Sequence, residues 1–304
     1  MSTAPDLPEG LLTRPPVPDD ATAVFELYAT CEALVQDEPD VELEDIVADW
    51  RRPSFDLAAD AVLVLEGGTL VAEAEVFKGR RAEVAVHPDA RNRGIGSALL
   101  DWTRRRASEV GSTMVGQTTP DADEAARELF RAKGYEPRWS SWILSYEIDG
   151  PPAPPELPDG YSLRPFEPGR DDREVYDVVE RAVGEWPDRD PSTYGDWRAQ
   201  IVETERFDPS LLVVIASGDA IVGTASNSDP GPESDGWVDQ LAVAREHRGR
   251  GLGRALLQRS FALFHERGKT SVRLSTDSRT GALGLYEHVG MRVLRSYTHH
   301  AKRL

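Results

Sequence analysis

The sequence predicts an α/β fold present twice in tandem, and three observations predict it. A strand, a turn of the form Arg-x-x-Gly-x-Gly and an apolar-periodic helix follow one another near residues 82–109 and again near 237–267. The order of strands and helices around each copy is the same. The spacing is constant, with 157 residues between Gly94 and Gly251 and 156 between Gly134 and Gly290. A fixed period with a fixed element order marks internal duplication, and alternating strands and helices mark a layered α/β domain. A length of 304 residues also suggests two domains, at ~100–200 residues each.

Taken in order, Pro, Asp and Gly crowd the first twenty residues, and Pro18-Asp19-Asp20 prepares a helix start. Residues 21–35 carry apolar side chains at helical spacing, and 41–50 suggest a second helix. Ala61 to Leu65, a Gly67-Gly68 turn and Leu70 to Val76 read as a hairpin. A strand over 82–87 enters the first glycine turn, and a helix runs from about 94 to 109. A short strand over 114–117, a helix over 122–133 stopped by Gly134, and a Trp-rich strand over 138–148 complete the half. Five prolines then fall between Gly150 and Gly160. Proline fixes φ and removes a donor, so 151–160 reads as a stiff linker between domains 1–150 and 161–304.

The second half repeats the order. A strand opens at Tyr161, and helices cover 171–183 and 192–204, the latter with Ser192 as N-cap. Strands over 211–216 and 221–225 form a hairpin about Gly218-Asp219. A strand over 237–243, the turn at 248–253 and a helix to about 267 follow. Then come a strand over 271–276, a helix over 280–288 and a last strand from Met291.

The turns carry the chemistry. One reads Arg248, Gly249, Arg250, Gly251, Leu252, Gly253, Arg254. The other reads Arg91, Asn92, Arg93, Gly94, Ile95, Gly96, Ser97. Glycine lets the backbone approach a ligand closely, and a helix start adds free N–H groups and the positive dipole end. Such a turn suits a phosphate or pyrophosphate, with arginines as counter-charges. A Walker loop is excluded, because no Lys is followed by Ser or Thr there. The dinucleotide fingerprint needs G-x-G-x-x-G, whereas Gly249, Gly251 and Gly253 give G-x-G-x-G.

Strand, Arg-x-x-Gly-x-Gly and helix together resemble the acyl-CoA motif of the GNAT superfamily of N-acetyltransferases, and the resemblance covers both halves. It implies domains built on a mixed, mostly antiparallel sheet flanked by helices, with acetyl-CoA as co-substrate. It implies that Leu241, Ala242 and Val243 line the pantetheine arm beside the turn, with Val84 and Val86 in the first half. Many members use a Tyr in A-x-x-x-Y as the acid that protonates the departing thiolate. Ala282-Leu-Gly-Leu-Tyr286 matches, so Tyr286 is the expected acid, with Ala282 and Tyr286 on one helix face. The first half has Phe130 at that place and so no proton to give, which implies a catalytically degenerate N-terminal domain.

Several members supply a general base, a Glu, where Trp237 stands here. Asp239, two residues on and returned to the same face by strand alternation, is the candidate base. The Asn that often contacts the CoA arm is replaced by Ser278 in the second half and Ala122 in the first. Glu185 and Trp186, between the helices before the hairpin, join Trp237 as candidates for holding a cationic amine.

Net charge narrows the partners. With 35 basic and 53 acidic residues the chain carries −18, which argues against nucleic acid and suits a cationic substrate. No apolar run approaches the ~20 residues of a membrane span, and the first residues lack the pattern of a signal peptide. Cys31 is the sole cysteine, so no intrachain disulfide forms and a cytoplasmic location is expected. The six histidines show no metal-ligand spacing, and His299 and His300 fall on opposite strand faces, so no metal is expected. The reading is an N-acetyltransferase moving an acetyl group to a small-molecule primary amine by direct attack in a ternary complex, with the C-terminal half active. The alternative is a non-catalytic acyl-CoA sensor, favoured by Phe130 and Trp237 and opposed by Tyr286. The sequence leaves the acceptor and the oligomeric state open.

Overall fold

A computed structural model of the chain describes residues 4–36, 39–185, 191–231 and 235–304. It forms two compact units, one of Met1–Trp139 with Tyr297–Leu304, the other of Ser140–Ser296.

The first unit contains β1 (Leu11–Arg14), α1 (Ala21–Glu32), α2 (Leu43–Trp50), a single turn α3 (Leu57–Asp60), β2 (Ala61–Glu66), β3 (Thr69–Phe77), β4 (Arg81–Val86), α4 (Ile95–Glu109), β5 (Met114–Pro120), α5 (Glu124–Ala132) and the start of β6 (Glu136–Glu147). Strands β1 to β4 pair antiparallel in sequence order, and β4 meets β5 in parallel. Alternation along β2 explains the layering. Val62 and Val64 join Ile95, Leu99 and Trp102 of α4 and Phe130 of α5. Ala61 and Leu63 face the other way, among Val24 of α1 and Trp50 of α2. The sheet is therefore covered by α4 and α5 on one face and by α1 and α2 on the other.

The second unit contains β7 (Tyr161–Pro165), α6 (Asp172–Val183), α7 (Tyr194–Ile201), β8 (Val213–Ser217), β9 (Ala220–Ser228), β10 (Gly236–Val243), α8 (Leu252–Glu266), β11 (Ser271–Asp277), α9 (Leu283–His288) and the start of β12 (Arg292–Arg303). Strands β7 to β10 are antiparallel and β10–β11 is parallel. Val213, Ile215 and Val238 pack with Leu256, Phe261 and Phe264 of α8. Leu212, Val214 and Ala242 pack with Val178 of α6 and Trp197 of α7.

The units do not follow the division at 151–160. Each half gives its last strand to the other sheet. Ser141 to Glu147 of β6 pair with β11, from Asp277↔Ser141 to Ser271↔Glu147. Tyr297 to Arg303 of β12 pair with β5, from Tyr297↔Pro120 to Arg303↔Met114. The proline-rich stretch forms neither helix nor strand and lies inside the second unit. Two smaller differences have local causes. Leu11–Arg14, in the stretch crowded with Pro, Asp and Gly for which the sequence suggested no strand, forms an edge strand on β2. The cap of α7 is Thr193 rather than Ser192, because the Thr193 hydroxyl accepts from the Asp196 N–H at 3.0 Å.

Candidate active site

In both units the central parallel pair comes apart. Strand β4 pairs with β5 only at Arg81↔Gly116, and β10 with β11 only from Gly236↔Val272 to Val238↔Leu274. Beyond those points the strands diverge, and Val84, Ala85 and Val86 in one unit and Leu241, Ala242 and Val243 in the other edge the opening.

The glycine turns close the far end of each opening. Asn92 and Gly249 have φ of 62° and 73°, and Gly94 and Gly251 have φ of 87° and 83°. Positive φ favours Gly, and tolerates Asn, which is why the first position reads Asn in one copy and Gly in the other. A Cβ on Gly94 or Gly251 would meet nothing within 4 Å, so space beside both is open. Gly96 and Gly253 serve a different need: a Cβ there would stand 3.2 Å from Leu129 of α5 or Leu285 of α9. No side chain caps α4 or α8, which leaves their first-turn N–H groups to a ligand. This open, uncapped cradle fits a pyrophosphate.

The leading arginines have a structural task. Arg91 Nε donates to the Val86 carbonyl at 3.1 Å, and Arg248 Nε to the Val243 carbonyl at 3.0 Å. Each clips the turn to the end of its diverging strand. Arg248 also pairs with Glu185 at 2.8 Å, so Glu185, expected at the acceptor, is directed at the turn. Arg93 is held by Glu66 in a fork of 2.9 and 2.7 Å. Arg250 and Arg254 are exposed, and Leu252 is buried against the core. Trp186 lies outside the described residues.

Tyr286 is buried, and Thr276 is the polar side chain that acts on its hydroxyl. Thr276 follows Leu274, the last β11 residue paired with β10, so the phenol reaches the divergence. Burial pushes the Tyr286 pKa above the ordinary phenol value against the opposing effect of Thr276, which keeps the proton on oxygen at neutral pH. Helix α9 starts later than its apolar pattern suggests, because Thr280 is taken up in a turn onto the Asp277 carbonyl at 2.9 Å. Ser278 is spent elsewhere: its N–H donates to Ser140 O at 2.8 Å and its hydroxyl accepts from Ser140 N–H at 3.3 Å.

The register of β10 against β9 shifts between Val238 and Gln240, which places Asp239 at a bulge. Asp239 is exposed and accepts from the Ser228 hydroxyl at 2.9 Å. Ser228 is the cross-strand partner of the half-buried Trp237, so Trp237 and Asp239 stand together. Gln240 accepts from Trp197 Nε1 at 3.1 Å.

The first unit holds what motif spacing did not suggest. A cavity of about 610 Å³ runs from Gly94 and Ser97 past Val84 and Gln117 to α1 and α2. Glu75 and Glu83 line it as cross-strand partners. Glu75 accepts from Trp50 Nε1 at 3.2 Å. Burial, with the charges of Asp49 and Glu83, pushes Glu75 up to about 7. Glu73 is fully buried, accepts from Tyr28 OH at 2.8 Å, and is driven well above the carboxylate range by burial and by Glu75. Phe130 is buried and stacked on His300, with ring centres 5.1 Å apart. The alternation Glu73-Ala-Glu75 was a signal available in the sequence, but it reads equally as a solvent face.

Among the described residues, no group of three or more His, Cys, Asp or Glu is arranged to hold a metal ion. Nor is any helix among them long and apolar enough to cross a membrane.

The duplicated fold, with a diverging strand pair above a glycine turn in each copy, defines a tandem acyl-CoA-dependent transferase. Comparison with known proteins agrees. The family model "Acetyltransferase (GNAT) family" matches residues 173–291, and "Acetyltransferase (GNAT) domain" matches 58–137. A mycothiol acetyltransferase from Catenulispora acidiphila is 31% identical over 232 residues, 74% of this chain and 73% of its own length. The crystal structure of a GCN5-related N-acetyltransferase from Sphaerobacter thermophilus superposes with a TM-score of 0.77 at 35% identity, covering 98% of this chain and 96% of the other. A tandem GNAT protein from the clavulanic acid biosynthesis pathway shares the fold, with a TM-score of 0.74 at 19% identity over 96% and 98% of the two chains. The chain belongs to the GNAT acetyltransferase family and is an acetyl-CoA-dependent acetyltransferase.

Proposed function

We propose that the chain transfers the acetyl group of acetyl-CoA to a primary amine of a small molecule, and that the C-terminal unit performs the transfer. The observation that carries this reading is Tyr286, a buried phenol reaching Thr276 where β10 and β11 part. The equivalent place in the N-terminal unit is Phe130. The mycothiol acetyltransferase relatives support a small-molecule amine as acceptor.

Acetyl-CoA supplies the acetyl group as a reactive thioester. The N–H groups from Arg248 to Arg254 hold the pyrophosphate, and the backbone of Leu241 and Val243 aligns the pantetheine arm. Tyr286 keeps its proton at neutral pH and delivers it to the departing sulfur. Asp239, beside Trp237, takes a proton from the acceptor ammonium. Positioning of both reactants in one cleft provides the rest of the acceleration. Steady-state acetylation of a panel of primary amines tests the reading. Turnover that survives Gly94→Glu and is lost in Gly251→Glu supports it, and the reverse pattern overturns the assignment to the C-terminal unit.

A further inference from the structure

We propose that Gln240 is a specificity-determining residue of the C-terminal unit. Held by Trp197, it presents an amide N–H that selects acceptor amines carrying an oxygen, hydroxyl or carbonyl, within a few bonds of the nitrogen. The inference rests on acetyl transfer in the C-terminal unit and names a class of acceptor for it.

The backbone places the side chain. In an unbroken strand Gln240 would share the face of Val238, which lies in the core with α8. The register of β10 on β9 instead shifts between Val238 and Gln240, and a bulge of this kind re-aims the side chain beside it. Gln240 then stands opposite Ser226, and Trp237 opposite Ser228. Those serines are two residues apart on β9 and share one face, so Gln240 is brought round to the side of Trp237. That face is covered by α6 and α7, where Ala242 and Trp197 belong to one cluster.

Donor chemistry then fixes which end of the amide is offered. An indole N–H can only donate, and Trp197 Nε1 donates to Gln240 Oε1 at 3.1 Å. The carboxamide oxygen is therefore taken, and its NH2 group is the end turned away from the indole. Trp197 is buried, which keeps the amide from turning over. Among the described residues nothing accepts from Gln240 Nε2. A half-buried donor fixed in this way favours a ligand oxygen. Asp239, the proposed base, is the neighbouring residue, and consecutive Cα atoms are about 3.8 Å apart. An amine at Asp239 thus brings a nearby oxygen on the same molecule towards Gln240 Nε2. The first unit makes the like helix-to-sheet contact with a different group, since Trp50 Nε1 donates to the Glu75 carboxyl at 3.2 Å.

The test is a set of kcat/KM values for ethanolamine against propylamine and for glycinamide against isobutylamine. Each pair is matched in heavy-atom shape and differs in the oxygen. The wild type should prefer the oxygen-bearing member of each pair on the order of tenfold. Gln240→Leu and Gln240→Glu should both bring the ratios close to one, and the second keeps an oxygen for Trp197 and so protects the fold. Trp197→Phe, which frees the amide, should raise KM for the oxygen-bearing amines and leave kcat for propylamine near wild type. A second readout needs no turnover: the Gln240 side-chain amide signals in proton–nitrogen correlation spectra, identified by their loss in Gln240→Leu, with CoA present. They should shift with ethanolamine and stay in place with propylamine. Equal rates within each pair, or a preference that survives both Gln240 variants, overturns the inference and leaves acetyl transfer standing. Amide signals unmoved by ethanolamine overturn it whether or not any amine is acetylated. Shifted signals with no acetylation would support the role of Gln240 and count against transfer in this unit.

Discussion

Where the central strands diverge, the N-terminal unit carries Glu73, Glu75 and Glu83, and the C-terminal unit carries Thr224, Ser226 and Gln240 at the corresponding pairing positions. On the following helix the order of polarity reverses, with Phe130 in the first unit and Tyr286 in the second. The frame beneath is the same in both: the parallel pair that parts, the left-handed glycine at the helix start, the arginine clip onto the strand end. Duplication has kept the geometry that cradles an anion and redistributed the groups that handle protons. One unit concentrates buried carboxylates beside a cavity; the other holds a buried phenol. The comparison teaches that an intact cofactor turn identifies a binding frame, whereas the neighbouring side chains decide what is done there.

The largest expected effect separates the two turns. Glutamate at Gly251 puts bulk and negative charge at the proposed phosphate site, at a φ that L-residues disfavour. It should lower kcat/KM by on the order of 10³-fold, about 4 kcal/mol of transition-state stabilisation. Gly94→Glu should cost far less in steady-state assays. Equal losses would dissolve the distinction between the units.

The next prediction concerns stability. Glu75 is raised to about 7 from an ordinary value near 4.5, so the folded state holds its proton more tightly than the unfolded chain. The sign follows: stability from this group is present below the unfolded value and is lost as pH rises through about 7. The shift corresponds to at most about 3 kcal/mol. Glu75→Gln keeps the shape and removes the titration. Thermal unfolding of the N-terminal unit should therefore be raised by the variant at pH 8 and nearly unaltered at pH 4. An increase of equal size at both pH values would contradict the linkage.

The smallest effect should be shared. Arg91→Ala and Arg248→Ala each remove one charge-assisted bond to a strand carbonyl, worth about 1 kcal/mol at half-exposed positions, and Arg248→Ala also removes the solvent-exposed pair with Glu185, which contributes little. Differential calorimetry should find similar destabilisation of the two units. A marked inequality would show that the clip is not a common part of the frame.

Much of this was legible in the sequence because it depends on local backbone needs. Glycine turns, hairpins and apolar periodicity point to elements whatever surrounds them, and the open, uncapped cradle at each helix start is built from such elements alone. The strand exchange was not legible. Both halves end in a long strand of similar character, and nothing local distinguishes pairing with one sheet from pairing with the other. The carboxylate pocket was hidden for a related reason. Period-two alternation places Glu73 and Glu75 on one face, but does not say whether water or α1 and α2 cover that face. Ser278 likewise matched a position in a motif, yet its hydroxyl is taken by Ser140, a residue of the first half.

The most direct test is the single-turnover rate of Tyr286→Phe, measured alongside its acetyl-CoA affinity. Loss of the proton donor should slow acetyl transfer by about 10²-fold or more, with the dissociation constant for acetyl-CoA unchanged. A variant that transfers acetyl at the wild-type rate would contradict the assignment of catalysis to the C-terminal unit.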